Sequence, residues 1–299
     1  MAADSTFLLL RPRPTQRTYH LVLEPADRPA SHWAVPGLPP RPGRAWPAKP
    51  LSPRTRRTGW IHTRGRLQLD PGLHLHLRCR TWAAEYRLAP DDDGWHLERL
   101  DWPRFDYLLR PVPPMLAAPI TALPADGPYL YEVKWDGIRA LLTLDQGRLT
   151  IRTRHHREVT ARFPELVAAA RELRTDAACL DGEILCPGPD GRPLRPHVLS
   201  RLHTACGRPG GPPVVCYLFD CLYLDGRPLL DEPLTQRRQA LAHVLPTPGR
   251  FRISPAVTDG EGLWARVQQL DLEGVVAKRP DSRYRPGRRE WLKRKLHPD

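Results

Sequence analysis

Tyr131-Glu132-Val133-Lys134-Trp135-Asp136-Gly137-Ile138-Arg139 decides how the rest of the chain is read. Its first half reads as a strand, and Asp136-Gly137 marks the place where a strand gives way to a turn. At its centre stands a lysine, in a chain that almost never uses one. Five lysines, at 49, 134, 278, 293 and 295, stand against 41 arginines. Arginine is the default cation here, so each lysine asks for a chemical reason. Arginine keeps its proton and cannot attack an electrophile, whereas lysine can shed its proton and become a nucleophile. Lys134 is therefore the candidate covalent nucleophile. Lys278, Lys293 and Lys295 are candidate phosphate contacts.

Other strings supply what such a nucleophile needs. Leu180-Asp181-Gly182-Glu183 and Glu273-Gly274-Val275-Val276-Ala277-Lys278 set carboxylates at strand ends, and hard oxygen ligands of that kind suit magnesium. Phe219-Asp220, in an apolar strand, offers an aromatic face fit to stack on a base. Lys293 and Lys295 are two apart on a strand and face the same way. Each piece has an ordinary reading by itself: a solvated turn lysine, a hairpin end, a core phenylalanine, a charged edge strand. Their order and the scarcity of lysine favour one constellation.

The bulk numbers frame this. A chain of 299 residues has room for two domains. A formal charge of +13 and a pI near 10.0 favour a polyanionic partner, nucleic acid first. No apolar run approaches the roughly 18 residues of a membrane span, and Phe7 to Leu10 is too short for a signal peptide. Six cysteines with no Cys-x-x-Cys pair read as reduced thiols in the cytoplasm. Residues 1–109 read as a small β-rich domain, with clean alternation over Leu73 to Leu77 and a proline-crowded, irregular stretch from Ala34 to Pro53. Arg110-Pro111-Val112-Pro113-Pro114-Met115 reads as a stiff linker. Residues 110–299 mix strands with helices. A hairpin turns at Asp145 to Arg148, and helices are expected from Phe163, over Leu234 to Leu245 and over Glu261 to Leu270. The last places Leu263, Val267 and Leu270 on one face.

Taken in order, these strings resemble the nucleotidyltransferase signature of ATP-dependent DNA ligases, RNA ligases and mRNA capping enzymes. They look closest to the ligase domain of bacterial end-joining ligase D. The resemblance covers about residues 112–296. Lys134 to Arg139 resembles motif I, Thr153-Arg154 motif Ia and Leu180 to Glu183 motif III. Tyr217 to Asp220 resembles motif IIIa, Glu273 to Lys278 motif IV and Trp291 to Lys295 motif V. The resemblance implies an α+β protein in which a β-rich N-terminal domain precedes an ATP-grasp-like adenylation domain of antiparallel sheets flanked by helices. No C-terminal OB-fold is expected, since four residues follow Lys295.

It also implies the sealing of nicked or broken duplex DNA through a lysyl-AMP intermediate on Lys134, with ATP and Mg2+ or Mn2+. By analogy Glu132 reads the adenine, Phe219 stacks on it, and Asp136 belongs to the cofactor site. Arg139 and Arg154 would contact ribose or the nick phosphate, and Glu183 ribose or metal. Glu273 would bind metal; Lys278, Lys293 and Lys295 would bind phosphates. A cytoplasmic, nucleoid-associated repair enzyme is expected, working with other repair proteins and with no membrane. Tyr19 to Glu24 and Ser31 to Pro36 resemble the 3′-phosphoesterase module of the same enzymes. There a His-Tyr-Asp string holds metal, and here Thr18-Tyr19-His20 stands in its place. A module of that shape without the activity is one expectation, and an OB-like barrel is the other. Three readings stay open: a nucleic-acid-binding repair scaffold derived from a ligase with weak or no catalysis alone, an RNA ligase or GTP-dependent capping enzyme, and a metal pair at His74 and His76.

Overall fold

The computed structural model describes residues 5–297 except 14–15, 41, 43, 53, 56, 58, 80–81, 102, 104, 126, 191, 204–212 and 246–248. The chain divides into two compact units. One comprises Met1–Arg110 with Arg174–Ala178 and Tyr223–Pro228, and the other comprises the remainder.

The first unit is built on nine strands: β1 (Thr6–Arg11), β2 (Tyr19–Glu24), β3 (Ser31–Val35), β4 (Ala45–Pro47), β5 (Lys49–Leu51), β6 (Trp60–Asp70), β7 (His74–Arg78), β8 (Ala83–Asp91) and β9 (Gly94–Arg99). They form one sheet in the order β4-β9-β8-β7-β6-β1-β2-β3-β5. Alternation puts Leu9, Leu21, Leu75, Leu77, Tyr86 and Leu97 on one face, where they make the core. The stretch read as irregular holds β4 and β5. These are the two ends of the sheet, where proline is tolerated because an edge strand leaves one row of N–H groups unused.

His76 and His74 do share a strand face, but His76 bridges Asp70 and Glu85. Among the described residues no group of three metal-ligating side chains forms. Asp225 and Gly226 also belong to this unit. Both have positive φ, 43° and 96°, and form the two-residue turn that Asp-Gly favours. The buried Asp225 carboxylate accepts from Tyr19 Oη (2.7 Å), Thr175 Oγ1 (2.6 Å) and the Ala177 N–H (3.1 Å).

The second unit carries β10 (Leu116–Pro119), β11 (Leu130–Val133), β12 (Ile138–Asp145), β13 (Arg148–Thr153), α1 (Pro164–Ala169), β14 (Ala177–Leu185), α2 (Arg195–His203) and β15 (Val215–Leu224). β16 (Arg227–Pro228), counted with the first unit, closes the Asp-Gly turn, and α3 (Leu234–Val244), β17 (Phe251–Ile253), β18 (Ala256–Val257), α4 (Gly260–Gln269), β19 (Gly274–Lys278) and β20 (Arg289–Lys295) follow. Two sheets result, β10-β20-β19-β11-β18 and β13-β12-β14-β15-β16, with β17 beside β15. β10 pairs with β20 and β15 with β17 in parallel, whereas β11–β18, β11–β19, β12–β13, β15–β16 and β19–β20 are antiparallel. The Gln146-Gly147 turn, with φ of 49° and 79°, closes the expected hairpin.

Helix α4 starts where Asp259 accepts the Gly262 N–H at 2.8 Å. It buries Trp264 and Val267 against Tyr131, Val275 and Ala277, whereas Leu270, expected on that face, is exposed at the helix end. Helix α2 was not expected from the sequence, being short and mostly polar, with only Val198, Leu199 and Leu202 on an apolar side. Five cysteines are free thiols; Cys206 lies outside the described residues. No helix among the described residues is long and apolar enough to cross a membrane.

Candidate active site

Strand β11 lies between β19 and β18, with Glu132 opposite Val276 on one side and Ala256 on the other. The chain leaves the strand at Lys134, whose backbone N–H donates to Gly274 O at 2.8 Å. Two glycines make this approach possible. A Cβ on Gly274, at φ 154°, would stand 2.1 Å from Arg294 O. A Cβ on Gly137 would stand 2.2 Å from Ile184 O. Gly137 is therefore needed for its closeness to β14 rather than for a sharp turn. That closeness brings the Lys134 segment beside Glu183.

The Lys134 amine is ion-paired with the Glu273 carboxylate, both partly exposed. Glu183 stands nearby with its carboxyl pushed up to about 8. Burial is the main cause; Arg139 and Lys134 oppose it, while Glu273 and Asp181 add to it. Lys293 and Lys295 lie opposite Val276 and Gly274 across β19–β20. The Lys293 amine is lowered by burial first, then by the like charges of Lys134, Lys295 and Arg289. Lys134 thus meets Glu273 directly, its charge reaches Glu183 and Lys293, and Lys295 stands two residues along β20 from Lys293.

A second group forms beside it. Phe219 and Trp291 pack edge to face, centroids 5.8 Å apart. The Lys278 amine lies 4.4 Å and 4.3 Å from those two rings, and the Arg139 guanidinium 4.7 Å from Phe219. Arg139 donates twice to the buried Asp181 carboxylate at 2.6 Å, and Tyr284 Oη donates to it at 2.6 Å. Burial lowers the Lys278 amine, and the neighbouring Glu132 opposes that. Glu132 Oε1 accepts from Lys278 at 2.9 Å and from Arg238 at 2.8 Å.

Lys278, expected on phosphate, therefore spends its charge on Glu132, and Glu132, expected on a base, is already engaged. Asp136 stands apart, paired with Arg195 at 2.9 Å. Arg154 sits exposed in the turn after β13, and no hydrogen bond or ion pair joins it to the others among the described residues. Asp181, Arg238 and Tyr284 carried no assignment from sequence. The adjacent pair Arg237-Arg238 inside the expected helix over Leu234 to Leu245 was the available signal. Arg237 is buried on Asp220 at 2.7 Å, and its neighbour reaches Glu132.

Residues 114–295 match the model of the ATP dependent DNA ligase domain, and the chain belongs to that family. A probable DNA ligase of Streptomyces avermitilis is 39% identical over 200 residues, covering 62% of this chain and 39% of the relative. The multifunctional non-homologous end joining protein LigD of Mycolicibacterium smegmatis is 35% identical over 170 residues, covering 56% of this chain and 21% of the relative. Among solved structures, mycobacterial DNA ligase D complexed with ATP and MES superposes with a TM-score of 0.53 at 35% identity, covering 62% of this chain and 60% of that one. The chain thus spans about two-fifths or less of these curated relatives.

Proposed function

We propose that this chain seals breaks in duplex DNA, using ATP and a lysyl-AMP intermediate on Lys134. The observation that carries the reading is the pairing of Lys134 with Glu273 beside Glu183 and the two strand lysines. Lys134 Nζ, once relieved of its proton, attacks the α-phosphorus of ATP. A P–N bond forms, the bond to the β-phosphate oxygen breaks, and pyrophosphate leaves. Glu273 is placed to take the proton. Lys293 and Lys295 neutralise the phosphates, which is most of what such a transfer asks of a protein. The adenylate then passes to a 5′-phosphate, and a 3′-hydroxyl displaces AMP.

The donor set fits a magnesium or manganese ion. Glu183 and Glu273 are hard oxygen donors near one another and would hold such an ion. When bound, the metal neutralises charge on the transferred phosphate. Phe219 offers a ring for adenine, and Glu132, held by Lys278 and Arg238, a fixed acceptor for its amino group. Arg139, clamped by Asp181, keeps a guanidinium at the ribose side. In this role the protein works in the cytoplasm on nicked or broken DNA with other repair proteins.

The test is incubation with α-labelled ATP and a divalent metal. A denaturant-stable labelled band that vanishes in Lys134→Ala supports the reading. Duplex binding with no adduct leaves only a scaffold. Preferential sealing of RNA strands moves the substrate to RNA.

A further inference from the structure

The outer face of the nine-stranded sheet carries charges in cross-strand pairs. His76 faces Glu85 across β7–β8, and Arg87 faces Glu98 across β8–β9 with 2.6 Å between guanidinium and carboxylate. On the same face, Arg66 faces Arg78 across β6–β7. Arg64 lies two residues back along β6, so it shares that face. Like charges directly opposite one another destabilise a sheet, so folding does not favour this pair. All three arginines are exposed, and among the described residues none has an ion-paired carboxylate. They line one open cavity of about 780 Å³ together with Thr6 and Glu24. The one carboxylate in it is already taken: Glu24 is ion-paired with Arg57 and accepts from Thr6 Oγ1 at 2.9 Å. The cavity thus gathers three cations without a carboxylate partner beside the apolar lining residues Phe7, Leu8 and Ile61.

We propose that this cavity docks the phosphate backbone of duplex DNA, with Arg64, Arg66 and Arg78 as the contacts. Each guanidinium presents a planar fork that fits a phosphate bidentately. The cavity is open, which suits a continuous polyanion that brings several phosphates at once. Removing the repulsion between Arg66 and Arg78 is then part of what the ligand supplies. The choice of DNA rests on the strand-sealing reading, yet the two can fail separately because loading of Lys134 needs no DNA.

The experiment uses the full chain and a fluorescein-labelled nicked duplex, followed by anisotropy between about 50 and 200 mM salt. Replacing both Arg66→Ala and Arg78→Ala is expected to weaken binding for every duplex sequence alike. It should also flatten the dependence of log affinity on log salt by about 2. Arg28→Ala, whose guanidinium is paired with Asp27 at 3.2 Å, should leave both quantities as in the parent. The double variant should melt no lower than the parent. Wild-type affinity and salt slope in the double variant would overturn the proposal, as would a parent chain that adenylates Lys134 but shows no salt-dependent duplex binding. Loss of duplex binding in the double variant, in a chain that never forms the adduct, would uphold this site and refute the sealing reading.

Discussion

Lys134 and Glu273 stand 139 residues apart in sequence and meet as an ion pair whose side chains are 20% and 22% exposed. The pair joins the end of β11 to the residue before β19, so the sheet register itself delivers the carboxylate to the amine. Glu273→Ala should lower the rate of adduct formation by about 10²-fold or more, as loss of a positioned proton acceptor does. Stability should fall by no more than about 1 kcal/mol, because the pair is partly solvated. Rapid-quench labelling and urea unfolding measure the two; an unchanged labelling rate would remove Glu273 from the chemistry.

Asp181 holds Arg139 through two bonds of 2.6 Å and receives a third from Tyr284. Asp181→Asn leaves a mostly buried guanidinium without its counter-charge and should cost about 3–5 kcal/mol. Tyr284→Phe removes two hydrogen bonds, the one it donates to Asp181 and the one it accepts from the Met115 N–H at 2.8 Å, and should cost about 1–3 kcal/mol. Chemical denaturation that found the two variants equally stable would contradict this ranking.

Gly137 has no room for a methyl group, since its Cβ would lie 2.2 Å from Ile184 O and 2.5 Å from Leu185 Cδ2. Gly137→Ala should destabilise by about 1–3 kcal/mol through overpacking. It should also slow adduct formation by about 10- to 100-fold, because the strand end carrying Lys134 must move away from Glu183. A variant that labels at the parent rate would show that this approach does not position the nucleophile.

Burial pushes the Asp225 carboxyl up to about 6 from its ordinary 3.8, although hydrogen bonds from Thr175 and Tyr19 oppose the rise. A carboxyl whose folded pKa lies above its unfolded one stabilises the fold fully below pH 3.8, and that contribution is lost as pH rises through about 6. The loss amounts to about 3 kcal/mol across the window. Unfolding free energies of the parent and of Asp225→Asn, measured from acid to neutral pH, should therefore converge against or cross each other as pH rises. A constant difference between the two would contradict the assignment.

Much of the second unit could be read from the chain because its signals are local. Asp145 to Arg148 closes a hairpin, Pro164 opens α1, and the lysine-bearing strings lie on or at the end of the strands expected for them. What escaped depends on distance in sequence. Asp181 became an anchor only when Arg139 and Tyr284 came to it from either side, and Arg238 reaches Glu132 from a helix 106 residues away. Leu270 was expected on the buried face of α4, but the helix ends there and Trp264 fills the space. In the first unit, prolines that forbid a central strand allowed the edge strands β4 and β5, a distinction that needs the sheet order. The opposed arginines 66 and 78 likewise exist as a pair only once the register is known.

The most direct test of the central claim is to locate the adduct. After incubation with ATP and magnesium, acid quench and proteolysis, mass spectrometry should find a single adenylate on the peptide that carries Lys134, attached through its side-chain nitrogen. An unmodified Lys134 peptide, or an adenylate attached elsewhere, would contradict the account.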